Sequence, residues 1–340
     1  MSFFLPAFLL SIFGFFTVFG ARQDLLFNQG FYFFLSFLSF FFIKKYASFF
    51  RKNSSFFFWI MFFLLIVTFF VGLETRGSKR WLNFYLFNFQ ASEFLKVFFI
   101  FFLAEILTKD GYYIDKLKNF LKAFLIFLMT VFLIFKQPDL GNAIIFSLIF
   151  LTIVLNSPIP KKIILNFFLF SILFLPSLWF FLKDYQKQRI TSFLNPNIDY
   201  QGTAYNMIQS IISVGSGGFL GRGLGFGTQS KLKFLPENHT DFIFASLVEQ
   251  FGFFGGMIIL FLYSLLLYFL IKRALYFLEK KDEMKNFLIL TGIIADLFFQ
   301  IIINVGMNIG IMPITGIALP FVSYGGSAFL SSFIILALIP

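Results

Sequence analysis

Long apolar runs separated by short polar connectors make up most of this chain. A membrane-spanning helix needs about 20 mostly apolar residues, and most of the runs approach or exceed that length. The pattern therefore predicts an all-α integral membrane protein with about ten transmembrane helices, built as one polytopic domain over residues 1–340. The runs lie at 3–20, 28–43, 55–73, 92–108, 119–135, 142–156, 163–182, 242–271, 286–308 and 314–340.

One polar stretch breaks this pattern between the seventh and eighth runs. Residues 183–241 are rich in glycine and contain several Lys and Arg, and they are predicted to form one large loop between helices 7 and 8. The glycines fit neither the G-x-G-x-x-G spacing of a dinucleotide site nor a P-loop. A flexible re-entrant segment with tight turns is the plainer interpretation, although Arg222 within it is a candidate phosphate ligand.

Composition excludes several classes of protein. Hydrophobic residues make up 59% of the chain and charged residues 13%, whereas soluble domains carry about 25% charged residues. The absence of Cys excludes disulfides and thiol catalysis, and a single His excludes a His-clustered metal site. The net charge of +11 is accounted for by basic cytoplasmic loops, so no nucleic acid partner is expected.

The Lys and Arg residues are unevenly distributed between alternate loops. With ten spans, even-numbered loops hold 15 of them and odd-numbered loops hold 5, apart from the long polar stretch and Lys96. Because basic residues accumulate in cytoplasmic loops, the even loops and both termini are predicted to be cytoplasmic. Residues 183–241 then form a large extracytoplasmic loop. The first run lacks a basic leading segment and is interpreted as a retained span.

Most other polar motifs also fall in odd-numbered loops. The even loops contain little besides charged connectors. This asymmetry predicts that the chemistry takes place at the outer leaflet of the membrane. The motifs lie at 74–81 with 90–96, at 136–141, at 304–316 and at 323–327.

A few charged residues stand out as candidates for chemistry. Glu93 and Lys96 are three residues apart and share a helix face, about one turn inside an apolar run. Charges in that position usually face a partner or a cavity. Glu93 could instead stabilise the first turn of its helix, and Asp241 could cap the helix that follows it. Asp296, inside the ninth run, could be the buried partner of a charge elsewhere.

These residues belong to a longer series of motifs. The series comprises Arg80-Trp81, 90–96, 137–141, Tyr205 with Gln209-Ser210, 215–218, 223–230, 234–244, 308–310, 313–316 and 320–327. With these motifs the chain resembles the shape, elongation, division and sporulation (SEDS) family of bacterial membrane proteins. Ala91 departs from the family, which usually has Pro there. The Gly-Thr-Gln-Ser form at 227–230 is closer to the elongation branch than to the division branch.

The resemblance implies a peptidoglycan glycosyltransferase that polymerises lipid II into β-1,4 glycan strands at the outer face of the bacterial cytoplasmic membrane during cell elongation. It implies that Asp241, in the His-Thr-Asp-Phe motif, is catalytic. The implied partners are lipid II and other undecaprenyl lipids, a class B penicillin-binding protein transpeptidase, and other membrane proteins of the elongation complex. The residues predicted to bind substrate are Lys96, Glu93, Arg80, Asp139, Arg222, His239 and Ser327.

The chemistry of this reaction needs few groups. The acceptor hydroxyl requires a general base, for which Asp241 is the candidate, whereas a diphosphate leaves without a protonating acid. Lys96, Arg80 and Arg222 are expected to offset the diphosphate charge. No organic cofactor is expected; a divalent cation, Mg²⁺ or Mn²⁺, is compatible with the chemistry, with no ligand set predicted. Two alternatives stay open: a lipid flippase or transporter, and a non-catalytic scaffold for a penicillin-binding protein.

Overall fold

The computed structural model describes residues 2–75, 78–83, 88–109, 112–195, 203–232 and 234–340. Within these ranges the chain is almost entirely helical. The helices are α1 Phe4–Ala21, α2 Leu26–Lys45, α3 Ala47–Lys52, α4 Ser54–Val71, α5 Ala91–Leu107, α6 Tyr113–Lys136, α7 Leu140–Asn156, α8 Lys161–Phe181, α9 Asp184–Leu194, α10 Thr203–Ser216, α11 Thr228–Lys231, α12 Ile243–Leu278, α13 Met284–Asn308 and α14 Gly326–Ala337.

In the described part of the chain, six helical segments are long and apolar enough to cross a membrane. Shorter apolar helices cover Leu140–Asn156 and Gly326–Ala337. The prediction of an all-α integral membrane protein is confirmed, and each of the first nine apolar runs contains a helix. The count of ten spans and the placement of the large loop stay predictions. The six segments are Phe4–Ala21, Gln23–Lys45, Ser54–Val71, Ile114–Lys136, Ile243–Leu278 and Met284–Asn308.

The tenth apolar run does not form one continuous helix. Only Gly326–Ala337 is helical, and residues 311–325 run as irregular chain. Pro313 and Pro320 cannot continue a helix, because proline lacks the amide donor and clashes with the preceding turn. Gly316 has φ 77 and Phe321 has φ 64, values outside the right-handed helical region. The irregular segment contains the motifs at 313–316 and 320–325.

A small antiparallel sheet lies between α4 and α5, in the third polar loop. It consists of β1 Leu73–Thr75, β2 Ser78–Asn83 and β3 Asn88–Phe89, in the order β1-β2-β3. Leu73 pairs with Trp81, and Leu82 pairs with Phe89. The sheet folds this loop back on itself, so Arg80 is held on a strand.

The chain divides into two compact units. The first unit comprises Met1–Phe41, Asp184–Phe269 and Phe298–Leu336, and the second comprises Phe42–Lys183, Leu270–Leu297 and Ala337–Pro340. Three long helices, α2, α12 and α13, contribute to both units. Each unit is described by itself below.

Helix α5 is the core of the second unit. Apart from Glu105, all of its residues are buried, as expected for a helix that is apolar on every side. Aromatic packing is close, since the rings of Phe58 on α4 and Phe102 on α5 stack with centroids 4.4 Å apart. Gly292 on α13 lies against Ile100, where a β-carbon would come within 2.6 Å of that side chain. Glu93 and Lys96 are therefore carried on the most enclosed helix of this unit.

Helix α12 is interrupted inside the first unit, at Gly252. This residue has φ 71 and ψ −171, a conformation that is nearly exclusive to glycine. The backbone groups released by the break bond to the glycine-rich segment 217–223. The bonds run from Phe253 N to Gly218 O (2.8 Å), Phe254 N to Phe219 O (3.2 Å), Arg222 N to Glu249 O (2.9 Å) and Gly223 N to Gln250 O (3.0 Å).

Replacing Gly252 by Ala should destabilise the protein by about 2–5 kcal/mol, because the new β-carbon adds backbone strain to an overlap with backbone atoms. That carbon would collide with the amide nitrogen of Gly221 and the carbonyl of Phe219. Thermal unfolding of the purified protein in detergent measures the loss. Gly215→Ala is the matched control, because a β-carbon there meets nothing within 4 Å. Equal unfolding temperatures for the two variants would contradict this docking.

Candidate active site

Asp241 lies at the end of a tight turn that leads into α12. Glu237 has φ 54, and its carbonyl accepts a hydrogen bond from the amide of Phe242 at 3.1 Å. Asn238 is buried, and its side-chain amide donates to the carbonyl of Ser230 at 2.5 Å. The turn is therefore closed on itself and tied to α11. The chain reaches Asp241 in a fixed direction.

Each backbone carbonyl from residue 238 to residue 241 accepts a hydrogen bond from another segment of the first unit. Loop carbonyls commonly depend on water, so four consecutive protein-bound carbonyls hold this loop firmly in place. The donors are the Ser246 hydroxyl to Asn238 (2.8 Å), the Tyr324 amide to His239 (2.8 Å), the Ser323 hydroxyl to Thr240 (2.8 Å), and the side-chain amides of Asn304 (2.9 Å) and Asn308 (3.1 Å) to Asp241.

Asn304 and Asn308 form a buried pair one turn apart on α13. The side-chain amide of Asn308 also donates to the carbonyl of Asn304 at 2.7 Å, and its oxygen accepts from the amide of Ala245 at 2.9 Å. Asn308 thus supplies a capping bond at the start of α12. Neither Asn was predicted as a site residue. The sequence does contain a signal for them, because two Asn residues lie four positions apart in an apolar helix. Such residues share a helix face, and buried polar side chains need hydrogen-bond partners.

The Asp241 carboxylate lies close to the backbone of Gly316. Gly316 has φ 77, and a β-carbon at this position would be 3.5 Å from Oδ2 of Asp241. Phe242 and Ile243 are buried, whereas Asp241 keeps partial exposure. The rigid turn therefore presents a partly accessible carboxylate next to a residue without a side chain.

The other predicted residues of the first unit have different surroundings. The His239 ring lies 5.4 Å from the ring of Tyr324. The backbone carbonyl of His239 is one of the four, at residues 238–241, that accept hydrogen bonds from other segments. Ser327 is buried at the start of α14, but it is Ser323 that contacts the loop. Arg222 is exposed, and its Nε donates to the carbonyl of Ser216 at 3.1 Å. Their substrate-binding roles stay predictions.

In the second unit, Lys96 lies between two carboxylates. Its Nζ is 3.0 Å from Oε2 of Glu93 and 3.9 Å from Oδ1 of Asp296. The three side chains are buried, with residue exposures of 3%, 7% and 5% for Lys96, Glu93 and Asp296. The expectation that Asp296 is a buried partner for a distant charge is confirmed. With all three groups ionised, the cluster carries one net negative charge.

A second polar cluster in this unit joins the third and fifth loops. Asp139 caps α7 by accepting from the amide of Asn142 at 3.2 Å, and it also accepts from the side chain of Gln90 at 3.2 Å. Arg80 lies 3.7 Å from Asp139 and donates to the carbonyls of Gln137 and Pro138. Asp139 therefore has a clear structural function as a cap, and Arg80 is an oriented cation.

The predicted site residues thus form groups within the two units. Asp241, His239, Arg222 and Ser327 belong to the first unit, and Lys96, Glu93, Arg80 and Asp139 to the second. Among the described residues, no group of three or more His, Cys, Asp or Glu side chains could hold a metal ion. A bound divalent cation stays a prediction.

Comparison with known proteins identifies the family of the chain. Residues 4–340 match the cell cycle protein family of FtsW, RodA and SpoVE. The peptidoglycan glycosyltransferase MrdB of Escherichia coli K12 is 39% identical over 258 residues, which cover 76% of this chain and 68% of MrdB.

Two solved structures match almost the whole chain. A peptidoglycan synthase complex, described as coordinating polymerization and crosslinking, matches with a TM-score of 0.82 at 26% identity, over 99% of this chain and 95% of its own. The rod shape determining protein RodA of Thermus thermophilus matches with a TM-score of 0.72 at 24% identity, over 99% and 94%; this second match concerns the fold alone. The chain is a multi-pass membrane protein of the FtsW, RodA and SpoVE family, and the SEDS resemblance of its motifs, with a RodA-like character, is confirmed.

Proposed function

We propose that this chain polymerises lipid II into β-1,4 glycan strands during cell elongation, with Asp241 as the general base. The chain is a peptidoglycan glycosyltransferase, as its relative MrdB is named. The observation that carries the role of Asp241 is the clamp on residues 238–241, which fixes a partly exposed carboxylate through four consecutive backbone carbonyls. Catalytic groups need this positioning, because a small displacement can cost about 10²-fold in rate.

The proposed reaction is a direct displacement. The Asp241 carboxylate removes the proton of the acceptor sugar hydroxyl, and the resulting oxygen attacks the anomeric carbon of the donor. The bond from that carbon to the diphosphate oxygen breaks, and its electron pair leaves with the lipid diphosphate. Attack from the opposite face inverts the anomeric centre, which converts an α-linked donor into a β-linked polymer.

The diphosphate charge requires stabilisation as it develops. Lys96, Arg80 and Arg222 are the proposed cations. Lys96 already faces two carboxylates and Arg80 one, so they offer oriented hydrogen-bond donors more than uncompensated charge. Arg222, the third proposed cation, is exposed.

A divalent cation shared with the substrate is compatible with the proposed reaction. Mg²⁺ is commonly held by one or two carboxylates together with substrate phosphates and water. The described residues contain no cluster of three or more metal-binding side chains. Asp241 could then supply one ligand and the diphosphate the others, and the ion would add positive charge at the leaving group.

The proposed setting is the bacterial cytoplasmic membrane. Both termini are placed in the cytoplasm and residues 183–241 outside, on the distribution of Lys and Arg between the loops. A class B penicillin-binding protein is the proposed partner, with other membrane proteins of the elongation complex. The structural neighbour that coordinates polymerization and crosslinking supports a crosslinking partner.

Purified protein should convert lipid II into glycan polymer when a cognate class B penicillin-binding protein is present. Gel separation of the products detects the polymer, and a parallel vesicle assay follows movement of lipid II across the bilayer. A flippase would move lipid II without making polymer, and a scaffold would do neither. Absence of polymer from the folded complex would contradict the proposal.

A further inference from the structure

Three cations from separate parts of the sequence meet in the second unit. Lys44 ends α2, Arg51 lies on α3, and Arg273 is near the end of α12. Lys44 Nζ and Arg51 NH1 both lie 3.4 Å from the carbonyl oxygen of Ile339, and Arg273 Nε donates to the carbonyl of Pro340 at 2.5 Å. They are called the basic cluster below.

The basic cluster lies in strongly cationic surroundings. The two segments that supply its side chains, 42–53 and 270–278, contain six Lys and Arg and no Asp or Glu. Lys and Arg often bond to carbonyls near helix ends, which would account for one cation here but not for three on two adjacent carbonyls. Burial and the nearby Arg273 both lower the pKa of the Arg51 guanidinium. The second effect shows that these two positive charges lie close enough to repel each other.

The surroundings of the basic cluster are those of a membrane interface. Lys44 lies at the end of the apolar segment Gln23–Lys45, and Arg273 lies in the last turns of Ile243–Leu278. Exposed aromatic residues flank the cations: Tyr46 is 44% exposed, Phe49 57% and Tyr276 52%. Tyrosine and other amphipathic aromatic side chains favour the level of the lipid headgroups, where one end is apolar and the other polar.

We propose that Lys44, Arg51 and Arg273 form a binding site for the phosphate of an anionic phospholipid headgroup. Phosphate oxygens accept charge-assisted hydrogen bonds, and arginine can donate two in parallel. Basic pockets at the ends of transmembrane helices suit such headgroups. A membrane lipid fits better than a soluble phosphate, because the adjacent exposed aromatic side chains can cover its acyl chains. Lys44, Arg51 and Arg273 are not among the proposed catalytic or substrate-binding residues.

The test uses the purified full-length protein in detergent and a fluorescent phosphatidylglycerol as the probe. The combined variant Lys44→Gln, Arg51→Gln and Arg273→Gln should bind the probe at least about tenfold more weakly than the unmodified protein. Its matched control is Lys45→Gln, Lys52→Gln and Lys272→Gln, which removes the same charge from neighbouring positions and should bind nearly normally. Equal weakening in both variants, or in neither, would overturn the site.

Two further measurements complete the test. Inorganic phosphate and zwitterionic phosphatidylcholine should compete poorly for the labelled lipid, and effective competition by inorganic phosphate would overturn the assignment to a lipid. If the combined variant does not fold, Lys44→Gln is compared with Lys45→Gln. The Lys44 variant should then show the greater loss of binding, and an equal loss would count against the site.

Discussion

Replacing Asp241 by Asn should lower the rate of glycan formation from lipid II by about 10²–10⁴-fold, the usual contribution of a general base. An amide has nearly the shape of the carboxylate but cannot take up the acceptor proton at neutral pH. The loop should keep its position, because the clamp engages the backbone carbonyl of residue 241. The initial rate of polymer formation by the purified protein with its transpeptidase partner measures the effect.

The matched control is Asp24→Asn, which removes another carboxylate that is predicted to face outward. Asp24 pairs with Arg22 at 2.7 Å in an exposed position, where an ion pair contributes about 0–1 kcal/mol. This variant should polymerise lipid II at close to the normal rate. Undiminished polymerisation by the Asp241 variant would exclude a base at this position, whatever the control does.

The lengths of the apolar runs predicted the positions of most helices, because a membrane-spanning helix needs a continuous apolar segment. The tenth run shows where this signal fails. Its apolar content is high, but Pro313 and Pro320 interrupt the backbone, and only the part from Gly326 to Ala337 is helical. The short sheet in the third loop was also missed, since two of its three strands have only two or three residues and carry almost no periodicity.

Contacts of the candidate site could be predicted where they join residues close together in the sequence. Contacts between distant segments could not. Glu93 and Lys96 are three residues apart, so their contact follows from helix geometry. The pairing of Lys96 with Asp296 spans 200 positions and was only suggested by the cost of a lone buried charge. The contacts of Asn308 and Ser323 with the Asp241 loop depend on tertiary packing that no local pattern encodes.

Replacing Lys96 by Met should destabilise the protein by about 3–5 kcal/mol, because it leaves Glu93 and Asp296 as buried carboxylates without a counter-ion. Thermal unfolding in detergent and the yield of folded protein measure this loss. Lys285→Met is the matched control. Lys285 also pairs with a carboxylate of α5, Glu105, at 3.3 Å, but both side chains are more exposed and their pairing should contribute little.

Loss of activity in the Lys96 variant alone would not separate a structural role from a role at the diphosphate. The separation requires a variant in which the buried charges are removed together: Lys96→Met with Glu93→Gln and Asp296→Asn. Replacing a whole buried charge cluster by neutral groups of similar size is often close to neutral for stability. This combined variant should therefore recover much of the stability that Lys96→Met loses.

The combined variant should still polymerise lipid II much more slowly than the unmodified protein, because it lacks the ammonium proposed to stabilise the leaving diphosphate. A loss of about 10²-fold or more in the rate, with the unfolding temperature restored, would assign the Lys96 and Glu93 pair to the reaction, since Glu93 is also a predicted substrate-binding residue. Normal polymerisation by the stable combined variant would mean that Lys96 only neutralises Glu93 and Asp296. The diphosphate would then depend on Arg80 and Arg222, the two remaining proposed cations.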